Sequence, residues 1–166
     1  MGAAVFTAAV WLSTLLCSLV AGFLFAFAVV VMPGIRRLPD RSFLETFRAI
    51  DGVIQARAPL FMLMWVGSVV ALLAALALGF AVLDGADLAL LAAAAALYLV
   101  GVQLPTGLIN IPLNNRIQAC DLETMTPEQL RAARHAFESR WNGWNIVRTA
   151  VASLTAALLF GLLLRI

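Results

Sequence analysis

Apolar positions along this chain gather into four long runs, at about residues 5–32, 58–83, 88–109 and 146–164, with polar stretches between them. A helix of about 20 apolar residues crosses the hydrocarbon core of a bilayer, so each run predicts a membrane span. Only Arg148, at the start of the last run, places a formal charge inside any of them. Lipid offers no partner for exposed backbone groups, which selects helices over open sheet. The expected fold is all-α: an integral membrane four-helix bundle, with residues 1–166 forming a single four-span domain.

The polar stretches carry a different periodicity. Over 42–57, Phe43, Phe47, Ile50 and Ile54 recur at helical spacing, with Arg41, Glu45, Arg48 and Gln55 on other faces. That pattern predicts an additional amphipathic surface helix, either an interfacial anchor or a lid over a pocket. Ser42 followed by Glu45 reads as the capping box that starts it. Thr126-Pro127-Glu128-Gln129 is a second capping box with proline at the first helical position. A loop-side helix over 127–145 is expected to start there and run into the last span, giving an extended fourth helix. Met32-Pro33-Gly34 predicts the end of the first helix. Thr14, Ser18, Gly22 and Ala26 fall at four-residue steps in span one. Small residues let helices approach closely in lipid, so this stripe predicts a packing seam, within the chain or in a homo-oligomer.

Composition agrees with the pattern: 63% of the residues are hydrophobic and 12% charged. Charge adds orientation. All 11 basic residues are arginine, and ten of them lie in or beside the two loops that follow spans one and three. Seven acids share those loops, but acidic residues weigh little in the positive-inside rule. The loops are expected in the cytoplasm and both termini on the opposite side, with the cytoplasmic membrane as location. The first run, far longer than a leader's apolar core, is read as retained. Cys17 inside a span and Cys120 in a loop do not suggest a disulfide.

Candidate chemistry collects where the apolar runs meet the loops. Span three changes character at Gln103, Pro105 and Thr106 and leads into Asn110-Ile111-Pro112-Leu113-Asn114. Prolines free backbone carbonyls, and carboxamides either satisfy them or floor a ligand pocket; both readings stand. On the last helix, Leu130, Phe137, Trp141, Trp144 and Val151 are read as one face, and Arg131, His135, Glu138, Asn142 and Asn145 as another. Arg148 either snorkels to the interface or faces the bundle, holding a ligand oxygen or a carboxylate such as Asp51 or Glu138. Asn110, Asn114, Asn145 and Arg148 are expected to converge on one cavity at the loop-side membrane face. With one histidine, no Cys-x-x-Cys and no paired carboxylates inside a span, no metal site is expected. No cofactor is expected either, the alternative being a haem or copper-linked protein with His135 as an axial ligand. The arginines are spread among acids, which is not the footprint of a nucleic-acid-binding protein. The expected partners are membrane lipid and a hydrophobic small molecule.

Gly22-Phe23 with Val31-Met32-Pro33-Gly34, then Asn110-Ile111-Pro112-Leu113-Asn114, then Trp141-Asn142-Gly143-Trp144-Asn145 followed by Arg148, resemble the anthrone oxygenase-like family of small four-span membrane proteins. Much of that family is catalogued as a domain of unknown function. The chain departs from the family pattern in having Ala58 before Pro59, where an asparagine is usual, and in lacking an asparagine near Asp51. The resemblance implies oxidation of an apolar aromatic or quinone-like substrate by O2 at a pocket near the cytoplasmic face. It implies that Asn110, Asn114, Trp141, Trp144 and Asn145 bind the substrate, that Arg148 stabilises its enolate oxygen, and that His135 or Glu138 assists proton removal. The alternatives are a non-catalytic membrane protein that binds lipid or another hydrophobic ligand, and a haem or copper-linked redox protein.

Overall fold

The computed structural model describes residues 2–166. Among the described residues four helices are long and apolar enough to cross a membrane: α1 (Gly2–Ile35), α3 (Pro59–Val82), α4 (Gly85–Gln118) and α5 (Pro127–Leu163). A fifth, α2 (Asp40–Gln55), lies in the first loop. No strand occurs among the described residues, and the protein is an all-α membrane protein. Helix α1 packs along α3 and α5, while α4 packs on α5 and more lightly on α3. Helix α2 crosses the loop-side ends of α4 and α5.

One of these helices runs further than proline suggests. The first helix ends at Ile35, directly after the Met32-Pro33-Gly34 signal, whereas the helix of the third span, expected over 88–109, continues to Gln118. Each mid-helix proline is instead preceded by a widened turn with i→i−5 hydrogen bonds. These turns span Phe27–Val31 before Pro33, Leu99–Gln103 before Pro105 and Thr106–Asn110 before Pro112. Proline lacks an N–H and its ring collides with the carbonyl four residues back. Inserting one extra residue into the turn relieves that collision without exposing backbone to lipid.

The loop-side helices start on different devices. The expected box at Ser42 is absent: α2 begins earlier, at Asp40, where Pro39 adopts an extended conformation and its carbonyl receives the Phe43 N–H at 2.8 Å. On α5 the Thr126–Gln129 capping box forms, and the helix then runs 37 residues without a break.

Two apolar cores result. One fills the membrane interior around Phe6, Val10, Leu72, Leu91, Tyr98 and Leu159. The other, around Phe43, Phe47, Leu113, Ile117, Phe137 and Trp141, joins α2 to the loop-side ends of α4 and α5. Phe23 packs against both. Helix contact in the membrane core is close enough to require a bare backbone. A Cβ on Gly101 of α4 would stand 2.6 Å from Val151 Cγ1 of α5.

Three arginines fasten the loop-side layer. Arg134 of α5 donates to the Leu38 and Arg36 carbonyls at 2.9 and 2.7 Å, and pairs with Asp40 at 3.0 Å and Glu138 at 2.8 Å. From α2, Arg41 donates to the Leu122 and Met125 carbonyls, and Arg48 to the Cys120 carbonyl.

Candidate functional site

A cavity of about 320 Å³ opens where the two cores meet, bounded by α1, α2, α3, α4 and α5. That volume suits a small-molecule ligand. Its side walls are aromatic. Phe61 and Trp65 of α3, four residues apart, stack with ring centroids 5.5 Å apart, and Phe23 of α1 meets both edge-on. On the other side Trp141 of α5 lies between Phe27 and Phe47, with centroids at 5.7 and 5.6 Å. The exposed residues Gln55, Arg57 and Ile111 mark the mouth.

The inner end is polar, and three helices supply it at helical spacing. Thr106, Asn110 and Asn114 follow one another at four-residue steps along α4, while Trp141, Asn145 and Arg148 of α5 stand at i, i+4 and i+7. The widened turn before Pro112 carries both Thr106 and Asn110. Helix α2 contributes Asp51, which continues the buried stripe of Phe43 and Phe47 at the same four-residue step.

Arg148 is buried and faces the cavity. Its Nη1 donates to Thr106 Oγ1 at 2.9 Å and its Nη2 to Asn145 Oδ1 at 3.0 Å. Asn145 is held in turn, with Nδ2 on the Leu24 carbonyl at 3.1 Å. The Arg148 Nε–H, however, is buried without a partner. Asn110 is in the same position: Nδ2 reaches the Trp141 carbonyl at 3.4 Å, and Oδ1 is buried and unpaired. Buried polar atoms nearly always find a partner, and this free donor and free acceptor are exceptions. Both atoms are enclosed within the wall and are not open to the cavity space.

Asp51 is also buried, and no arginine lies within ion-pair distance of it among the described residues. Carboxamides hold it instead. Asn114 Nδ2 donates to Oδ1 at 2.8 Å, and Gln118 and Gln55 donate to Oδ2 at 2.8 and 3.3 Å. Asn114 Oδ1 in turn accepts the Trp141 indole N–H at 2.8 Å. A carboxylate offers about four lone-pair positions, so one on Oδ1 stays free for a proton. The cavity thus keeps a cation and an anion apart, each stabilised by neutral groups. In a low-dielectric site such fixed charges act strongly on a bound molecule.

Among the residues singled out from sequence, Asn110, Asn114, Trp141, Asn145 and Arg148 line this one cavity. Trp144, His135 and Glu138 do not. Trp144 and His135 are on the exposed side of α5, and Glu138 is engaged by Arg134 and Arg36 at 2.8 and 3.6 Å. The two faces drawn for α5 also change. Asn145 is buried with Phe137 and Trp141 while His135 is exposed, because the line from Arg131 slips about 20° per heptad and carries Asn145 to the edge of the buried stripe. Sequence reasoning gave Asp51 no role beyond a partner for Arg148, quoted Phe23 only within a motif, and passed over Phe61 and Trp65. Among the described residues no three His, Cys, Asp or Glu side chains gather as a metal-binding group.

The family model described as anthrone oxygenase matches residues 61–159, which run from the aromatic wall of α3 through Asn110 and Asn114 to Arg148 and beyond. The chain belongs to the anthrone oxygenase family. No curated protein and no solved structure matches it. In this anthrone oxygenase family member, Phe23, Phe27, Phe47 and Asp51 of the cavity wall lie outside the matched stretch.

Proposed function

We propose that the protein binds a flat, apolar aromatic ketone or phenol in this cavity and oxidises it with O2. The observation that carries the reading is the convergence of Arg148, Asn110, Asn145 and Asp51 at the polar end of an aromatic-walled cavity. An anthrone suits that arrangement. Its carbonyl accepts from Arg148, and its fused rings lie among Phe23, Phe61, Trp65 and Trp141.

The chemistry follows from the charge arrangement. Asp51 takes a proton from the ring CH2 opposite the carbonyl, and the negative charge moves to the carbonyl oxygen, where Arg148 stabilises it. The electron-rich enolate reduces O2. One oxygen atom stays on the ring carbon as the second carbonyl, the other leaves as water with both hydrogens of the CH2, and the substrate becomes a quinone. By the positive-inside rule the arginine-rich loops favour a cavity mouth that opens to the cytoplasm.

The test is O2 uptake and quinone absorbance with purified protein in detergent and an anthrone as substrate. Quinone formation above the spontaneous rate, lost in Arg148→Met, supports oxidation. Tight binding of the anthrone with no excess quinone overturns catalysis and leaves a hydrophobic-ligand carrier. A Soret or copper absorbance band in the purified protein would redirect the reading to a bound redox centre.

A further inference from the structure

Arg57 occupies a backbone position that ordinarily belongs to glycine. It follows the last turn of α2 with φ at +56°, the only non-glycine residue with positive φ among the described residues. Its N–H bonds to the Ile54 carbonyl at 2.9 Å and the Ala58 N–H to the Val53 carbonyl at 3.4 Å. These two bonds close a helix C-terminus onto itself, and Pro59 then opens α3. Glycine is usual at the left-handed residue of this closure because a side chain there crowds the backbone.

The side chain offsets that cost nowhere inside the protein. Arg57 is exposed, lines the cavity mouth and has no acidic partner within 4.0 Å among the described residues. The charged groups along the cavity are Arg57, Arg148 and Asp51, which leaves one net positive charge. Asp51, the only acid there, is already held by three amides.

We propose that Arg57 is a specificity-determining cation at the cavity mouth, selecting ligands whose outer end carries an anionic oxygen group. The inference rests on the reading that the cavity takes a flat aromatic molecule, with its inner oxygen at Arg148. The anionic oxygens belong either to an acid substituent of that molecule or to a phospholipid headgroup at the membrane surface.

The experiment is tryptophan-fluorescence quenching of the full-length protein in an uncharged detergent, with Trp65 and Trp141 reporting from the cavity wall. The probes are anthraquinone-2-carboxylate and uncharged 2-methylanthraquinone. A charge-assisted hydrogen bond predicts at least about tenfold tighter binding of the carboxylate to the wild type. Arg57→Gly, which suits the left-handed turn, should erase that preference while leaving the neutral probe within about twofold, and Arg57→Lys should keep most of it. Equal losses for both probes in Arg57→Gly, or an unchanged preference, would overturn the proposal. Added phosphatidylglycerol identifies the source of the anion. If it abolishes the wild-type preference without displacing the neutral probe, a headgroup occupies the same anion site; if it has no effect, the acid belongs to the ligand. Binding of the neutral probe with no preference for the carboxylate sinks the role of Arg57 alone. Binding of neither probe sinks the cavity reading as well.

Discussion

Arg148 of α5 is joined to Thr106 of α4 by a 2.9 Å hydrogen bond that aims a buried guanidinium into the cavity. Thr106 itself is locked by donating to the Val102 carbonyl at 2.7 Å, inside the region that the widened turns reshape. The arginine is therefore positioned by the helix distortion that Pro105 and Pro112 impose.

Replacing Arg148 with methionine should weaken binding of an anthrone or anthraquinone by about tenfold to a hundredfold, the worth of a charge-assisted hydrogen bond. The fold should survive at a cost of about 1–3 kcal/mol, because the substitution removes a costly buried charge but leaves Asn145 Oδ1 without its donor. Arg148→Lys keeps the charge but cannot hold Thr106 and Asn145 while presenting a third N–H, so its affinity should fall between the two. Fluorescence titration with thermal unfolding of the same samples checks both points.

Asp51→Asn should reduce quinone formation by about 10²-fold or more, the usual contribution of a positioned general base. The substitution also turns an acceptor into a donor that faces Asn114 or Gln118, which should lower stability by about 1–3 kcal/mol. Gln118→Ala separates the two effects. It removes one donor to Asp51 and should cost about 1 kcal/mol of stability while leaving turnover within about tenfold. Equal turnover losses in the two variants would make Asp51 a structural anchor and not a base.

Much of this architecture is legible in the chain. The apolar runs mark every span, the Thr126–Gln129 box marks the start of α5, and the Asn110, Asn114 and Arg148 positions draw notice because carboxamides and a cation are costly beside lipid. The third-span helix outruns its expected end because proline is a stop signal in water, where freed carbonyls find solvent. In a membrane the chain widens the turn and continues, as it does before Pro33, Pro105 and Pro112. Asp51 was obscured by its company among loop arginines, although Phe43, Phe47 and Asp51 form a four-residue step that places an acid in a buried stripe. The aromatic wall had a similar signal in the i, i+4 pairs Phe23–Phe27 and Phe61–Trp65, which apolar spans disguise as ordinary lipid-facing content.

Gly101→Ala should destabilise the protein by about 1–3 kcal/mol, since its Cβ would meet Val151 Cγ1 at 2.6 Å in a packed interface. Val151→Ala in the same molecule should recover a large part of that loss, and a double-mutant cycle on unfolding in mild detergent measures the coupling. Additive losses would mean that the two helices separate freely.

Arg134 controls how firmly α2 covers the cavity. Its side chain is 14% exposed and ties α5 to the Arg36 and Leu38 carbonyls and to Asp40, with the guanidinium 4.3 Å from the centre of the Phe43 ring. Arg134→Gln removes the charge from all of these contacts at once and leaves Asp40 with only the long, exposed pairing to Arg131 at 3.9 Å. Charged hydrogen bonds of this kind are worth about 1.5–3 kcal/mol, so hydrogen exchange over residues 36–47 should quicken by about tenfold to a hundredfold. The membrane interiors of α1, α3 and α5 have their own core and should keep their protection. Because Phe47 and Asp51 ride on α2, a looser helix should also release a bound anthraquinone faster, with the change appearing in the off-rate. Faster exchange without faster release would separate the loop-side layer from the cavity and make Arg134 a stabilising clamp with no part in ligand retention.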